Sequence, residues 1–134
     1  MKINFIIPGT PVAKARPRFS RNGTYTPEKT VNYENLVKYC YMEQCKKKWL
    51  MGALDITIKC YFPIPKSTSK KNRELMIQGK IRPTKKPDYD NCAKAVSDAL
   101  NEIAYKDDSY IVDAHIHKYY GEEPRVEVGI VEVE

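Results

Sequence analysis

At 134 residues, with 30% charged and 42% hydrophobic residues, the chain has the length of one domain and the composition of a folded globular protein rather than a disordered one. Its net charge of +6 is unevenly spread: residues 1–87 hold 19 Lys and Arg against 5 Asp and Glu, and residues 88–134 hold 4 against 12, so the first part favours a polyanionic partner, most simply nucleic acid. No apolar run approaches about 18 residues, which excludes a membrane-spanning helix, and the opening MKINFIIPGTP lacks the long apolar segment and cleavage site of a signal peptide.

Residues 2–7, KINFII, read as a strand. Residues 8–23 are broken by Pro8, Pro11 and Pro17 and read as an irregular loop. That loop carries Lys14, Arg16, Arg18 and Arg21 around Phe19. A basic loop of this length is expected to contact phosphates, with a plain surface loop as the alternative. Thr26-Pro27-Glu28 opens a helix, with Thr26 as its cap and Pro27 in its first position. The helix is expected to run to about Lys48 with Tyr33, Leu36, Val37, Cys40 and Gln44 near one face, and Trp49 as a packing anchor at its end.

Residues 53–62 alternate as a half-buried strand with Leu54, Ile56, Ile58, Cys60 and Phe62 inward. Ser67 is expected to cap a short polar helix ending near Gln78-Gly79. A basic loop, KIRPTKKP, then runs into the acidic stretch KPDYDNCAKAVSDALNEIAYKDD. An amphipathic helix is expected from about Asp88 to Ala104: Cys92, Ala93, Val96, Ala99, Leu100 and Ile103 span an arc of about 120°, and Asp90, Lys94 and Asp98 form a polar stripe opposite. Strands are expected at 110–119, with Val112, Ala114, Ile116 and Lys118 on one face, and at 125–133, with Val126, Val128 and Ile130 buried. The order β-α-β-α-α-β-β predicts a single α+β domain over 1–134, with one mixed sheet of about four strands and helices packed on one face.

Cys40, Cys45, Cys60 and Cys92 form no CxxC pair, and no His lies at zinc spacing from two of them. Free, buried thiols in a reducing cytoplasm are expected. His115 and His117 share a strand face with Asp113 but have no evident further metal ligand; a solvated or DNA-facing sheet surface is the expectation.

Two readings of the acidic stretch compete. In the first, Asp88 caps the helix, Asp90 favours its positive end, and Lys94 pairs with Asp90 and Asp98, each worth a few tenths to about 1 kcal/mol. In the second, Asp88 and Asp90 offer hard oxygen ligands to a divalent ion such as Mg²⁺, joined by Asp108 from the start of the following strand. Lys94 on the same stripe offsets charge on phosphoryl oxygens, and the ion polarises a scissile phosphate. The preceding KIRPTKKP favours the second reading.

KPDYDNCAKAVSDALN, followed by Asp107-Asp108 and a strand ending in Lys118, resembles the RusA family of Holliday junction resolvases. The family pattern Asp-x-Asp-Asn-x-x-Lys falls on Asp88, Asp90, Asn91 and Lys94, and the later Asp-Ala-Leu on Asp98-Ala99-Leu100. The opening IIPGTPVAKARPRF is similar as well. The resemblance implies a small α+β homodimer that binds four-way DNA junctions and cuts two opposed strands symmetrically with Mg²⁺ or Mn²⁺. It implies Asp88, Asp90 and Asp108 as metal ligands and Lys94 as a residue important for cleavage; Asp108, the second of its pair, is preferred over Asp107. Lys14, Arg16, Arg18, Lys85 and Lys86 are expected to contact the DNA backbone. Neither a nucleotide cofactor nor a membrane is expected as a partner. A non-catalytic DNA-binding module, or a metal-dependent nuclease for flaps or RNA, is the alternative.

Overall fold

The strongest alternation in the chain forms the centre of the sheet. In the computed structural model, which describes residues 1–134, β4 (Leu54–Pro63) buries Leu54, Ile56, Ile58, Cys60 and Phe62 on one face. Its neighbours are β6 (Arg125–Glu132), antiparallel, and β5 (Ile111–Gly121), parallel. β1 (Lys2–Pro8) flanks β6 in antiparallel register, giving the mixed order β1-β6-β4-β5. Ile3, Phe5 and Ile7 of β1 and Val126, Val128 and Ile130 of β6 share the buried face.

Helix α1 (Glu28–Cys45) and helix α3 (Tyr89–Ala99) cover that face and pack on each other. From α1 come Tyr33, Val37, Cys40, Tyr41 and Cys45, and from α3 Cys92, Ala95, Val96 and Ala99. Helix α2 (Lys70–Ile77) buries none of its residues and lies beside β5. The result is the expected α+β layering, one mixed four-stranded sheet with its helices on one side. All four cysteines are buried and free. No helix is long and apolar enough to cross a membrane.

Local details depart from the sequence reading. Part of the basic segment is regular: β2 (Arg18–Ser20) and β3 (Gly23–Tyr25) form a small hairpin whose two-residue turn, Arg21-Asn22, leads into Gly23 at φ +109°. Every residue of the hairpin strands is exposed, and so few residues carry no periodic signal. Thr26 does not cap α1; Pro27 occupies the cap position, without a side-chain bond. The helix ends at Cys45 because Lys46 and Lys47 turn left-handed (φ 55° and 57°), which leaves Trp49 about half exposed rather than an anchor. Ser69, not Ser67, caps α2, accepting from the Asn72 N–H.

Helix α3 stops five residues before the expected end. Glu102 adopts φ 63° and donates its N–H to the Tyr105 carbonyl. This tight turn folds Leu100, Ala104 and Tyr105 back into the core.

Both sheet edges are partly closed. Gln44 makes a fork of bonds to Ile6, accepting from its N–H (2.8 Å) and donating to its carbonyl (2.7 Å). Such a fork blocks strand addition at β1. At the other edge, Arg82 Nε donates to the Lys118 carbonyl of β5 (2.7 Å).

A β-bulge sets the facing of β5. Leu54 pairs with Ile111, but the next residue, Asp55, pairs with Asp113. Val112 is thereby expelled to solvent and Ile111 packs on the core, the reverse of simple alternation; from Ala114 onward the expected facing holds. Truncating Ile58 to Ala is expected to cost about 2–5 kcal/mol in chemical denaturation, whereas Val112→Ala is expected to change stability by less than about 0.5 kcal/mol. A cost above about 1.5 kcal/mol for Val112→Ala would contradict the bulge.

Candidate metal and nucleic-acid site

The acidic stretch begins where α3 begins. Asp88 holds the cap position (φ −67°, ψ 154°), and its backbone carbonyl accepts from the Cys92 N–H (3.1 Å). Its carboxylate, however, accepts no capping bond and is exposed, as are Tyr89 and Asp90. The helix-capping role is therefore taken by the backbone of Asp88 and not by its charge. Lys94 is exposed and pairs with neither Asp90 nor Asp98. Asp88, Asp90 and Lys94 thus carry three charges that nothing in the chain neutralises by direct contact.

Asp98, two turns further along α3, has partners. Lys14 Nζ lies 3.5 Å from Asp98 Oδ2 and 2.8 Å from Glu34 Oε2 of α1. Burial acts to lower the pKa of Lys14, but the bond and charge of Glu34, with Asp98 added, outweigh it and raise the value above that of a free lysine. The Lys14 N–H donates to the Asn91 carbonyl (3.0 Å) and the Ala15 N–H to Thr30 Oγ1 (3.2 Å). Lys14 therefore straps the N-terminal loop across α1 and α3, and its charge is committed within the fold. Sequence reasoning placed it among the phosphate contacts because Glu34, 20 residues away, gave no sign of being its partner.

The turn after α3 separates the two aspartates of the Asp-Asp pair. The Asp107 carboxylate accepts from the Ser109 N–H (3.0 Å) and caps the single 3₁₀ turn Asp108–Tyr110; that bond holds its carboxyl below the usual carboxylate range. Asp108 points the other way, toward Asp98, and is partly buried. Burial, followed by repulsion from Asp107 and Asp98, raises its carboxyl above the usual range. Beneath them the Tyr105 hydroxyl donates to the Ser97 carbonyl (2.8 Å). Burial and then the charges of Asp108, Asp98 and Asp107 push this phenol up. Tyr105 thus underlies the Asp98–Asp108 pair, a placement created by the Glu102 turn and illegible in the local sequence.

The carboxylates therefore lie in two groups along α3. Asp88 and Asp90 sit at its start, both within electrostatic range of Cys92. Asp98 and Asp108 sit about 12 Å further along the axis, at 1.5 Å per residue, with Lys94 between. No three carboxylate, imidazole or thiol groups surround a common point. Asp108 is brought to α3, as expected, but beside Asp98 rather than beside Asp88 and Asp90. The donor chemistry at Asp88 and Asp90 still suits a hard divalent ion, which commonly takes one or two carboxylates and completes its shell with water and phosphate oxygens.

Several cations predicted to meet DNA are free of partners. Arg16, Arg18, Lys85 and Lys86 are exposed and form no ion pair. Phe19, next to Arg18, is 87% exposed. Lys118 reaches across from the core side of β5, its Nζ donating to the carbonyls of Lys85 (2.7 Å) and Pro87 (2.9 Å). Its inward facing was legible in the strand alternation; the carbonyls it reaches were not. His115 lies on the open sheet face, 3.4 Å from Asp55.

The raised carboxyl of Asp108 carries a stability consequence. Below the unfolded carboxyl pKa, about 3.9, the group is protonated in both states and costs nothing. As pH rises through the elevated folded value it must ionise beside Asp98, and stability is lost. Asp108→Asn is therefore expected to raise Tm at pH 7 by roughly 1–4 °C, with the gain fading below about pH 4. A lower Tm for this variant at pH 7 would show that the ionised group is a structural stabiliser.

The family described as endodeoxyribonuclease RusA matches residues 8–131, a span that includes the basic hairpin, all of α3, Asp108 and β5. YqaN, an uncharacterized protein of Bacillus subtilis (strain 168), is 44% identical over 137 residues, covering 98% of this chain and 96% of that protein. Nearly the whole fold lies inside both matches, and the chain belongs to the RusA endodeoxyribonuclease family.

Proposed function

We propose that the chain resolves four-way (Holliday) DNA junctions by paired, symmetric, Mg²⁺-dependent cuts in recombination and repair, acting as a cytoplasmic homodimer. Membership of the RusA family supports the junction-resolving endodeoxyribonuclease class. The observation that carries the finer reading is that Asp88 and Asp90 at the start of α3 and Lys94 at its middle are exposed and have no ion-pair partner within the chain. The helix N-terminus favours Asp90 in the first turn by no more than about 1 kcal/mol, which leaves Asp88 and Lys94 without a structural role.

In this reading Asp88 and Asp90 would hold the ion, and Asp108, which stands on the 3₁₀ turn beside Asp98 about 12 Å further along α3, would have to close on them to serve as the third carboxylate. When bound, Mg²⁺ (or Mn²⁺) supplies Lewis-acid polarisation of the scissile phosphate and a more acidic water. Lys94, between the two carboxylate groups, places its ammonium against the phosphoryl oxygens as their charge grows. Arg16 and Arg18 on one side and Lys85 and Lys86 on the other hold the DNA backbone, each phosphate contact adding about −0.9 to the slope of log K against log salt. A junction has two-fold symmetry, so two copies of one site address opposed strands. Four buried, unpaired thiols are in keeping with a reducing compartment.

Strand-by-strand cleavage of a synthetic four-way junction in Mg²⁺ is the test. Wild type is expected to cut two opposed strands at symmetric positions and to leave matched flap, duplex and RNA substrates largely intact. Asp90→Asn is expected to retain junction binding and Tm but to cut at below about one hundredth of the wild-type rate. Equal cutting of flaps or RNA would support a different nuclease, and wild-type cutting by Asp90→Asn would remove the carboxylates from the chemistry.

A further inference from the structure

The segment 82–87 carries two of the proposed phosphate contacts and delivers the chain to Asp88. It contributes no residue to the buried core. One residue of β5 grips it at both polar ends. The Lys118 ammonium donates to the carbonyls of Lys85 (2.7 Å) and Pro87 (2.9 Å), while the Lys118 carbonyl accepts from Arg82 Nε (2.7 Å). The Arg82 guanidinium is itself seated 4.1 Å over the Tyr119 ring.

Lys118 occupies an inward position, in register with buried Cys60, with the Phe62 ring 5.7 Å from its ammonium. No carboxylate pairs with it. A charge placed there is disfavoured unless something needs it, and an apolar residue would continue the row Ile56, Ile58, Cys60 and Phe62 more cheaply. What the ammonium provides is a fixed point for two carbonyls within three residues of Asp88.

We infer that Lys118 is a positioning residue for the reaction: it anchors the 82–87 segment to the rigid sheet and so sets where Asp88, Lys85 and Lys86 stand. It touches neither substrate nor ion in this role. The inference rests on the nuclease reading for its consequence but not for its geometry.

The test compares the full-length wild type with two variants. Lys118→Met keeps most of the stem and removes the ammonium. Arg82→Ala frees the same segment by removing the bond to the Lys118 carbonyl. Trypsin does not cut before proline, so Lys85–Lys86 is the one cleavable bond between Arg82 and Asp88. Under native conditions, nicking there is expected to rise about tenfold in Lys118→Met and about threefold in Arg82→Ala, with unchanged circular dichroism. In Lys118→Met, kcat on a four-way junction is expected to fall about ten- to a hundredfold, with a smaller rise in KM, of about two- to fivefold, from the displaced Lys85 and Lys86. The Mg²⁺ concentration for half-maximal cutting is expected to rise, and Lys118→Arg, which retains donors, should recover part of kcat.

Wild-type nicking in both variants, or wild-type kcat and Mg²⁺ requirement in Lys118→Met, overturns the inference. If Lys118→Met does not fold, Arg82→Ala decides: faster nicking with lower kcat supports the anchor, and wild-type nicking overturns it. A wild type that cuts no junction overturns the nuclease reading, and the nicking comparison then still decides whether Lys118 holds the segment.

Discussion

The parallel pairing of β4 with β5 is the constraint on which the rest of the molecule depends. Antiparallel neighbours can be joined by a tight turn, but parallel neighbours require a crossover that carries the chain back to the starting end of the sheet. Here the crossover is residues 64–110, and it contains α2, the basic segment, α3 and the Asp-Asp turn. Pro87 is bonded to Lys118 near the end of β5, and Asp108 stands beside Asp98 just before β5 starts. Helix α3 therefore runs back along the strand pair, with its acidic stripe following its length. The same topology that closes the core lays out the site.

Charge is arranged against this frame in a way that stability alone does not explain. Lys14 is tied to Glu34 and Asp98, and Asp107 to its own turn. Those groups hold the fold. Asp88, Asp90 and Lys94 are left without partners, and Asp108 is forced to ionise beside another carboxylate. In a chain with a surplus of 6 positive charges, cations could have been placed to neutralise them. Instead Arg16, Arg18, Lys85 and Lys86 are exposed and form no ion pair. On the proposed reading, a polyanion and a divalent ion would complete an electrostatic balance that the protein leaves open.

Much of this was legible in the sequence, and what was not has a physical cause. The core strands declared themselves because alternation has period two, and Leu54–Phe62 keeps it for the whole strand. The core face of α3 followed from its 3.6-residue period, and the bounds of the strands held to within a residue or two. Asp108 was distinguishable from Asp107 only by preference; its inward direction depends on Asp107 being used as a cap. The end of α3 was missed because Glu102 adopts a left-handed conformation that favours glycine and asparagine, so its side chain gave no warning. The bulge at Val112 was hidden because it arises between strands rather than within one. The ion pairs of Lys14 and the carbonyl contacts of Lys118 join residues 20 to 84 positions apart, and no local pattern encodes them.

The central claim is that the uncompensated carboxylates at the start of α3 exist to hold a divalent ion. Thermal unfolding with and without Mg²⁺ or Mn²⁺, in the absence of DNA, tests it most directly. An ion bound only by the folded state raises stability by about 2.7 kcal/mol at a hundred times its dissociation constant. The account predicts a metal-dependent rise in Tm for the wild type that is lost in Asp88→Asn and Asp90→Asn and reduced in Asp108→Asn. A rise of the same size in Asp90→Asn would place the ion elsewhere and contradict the account.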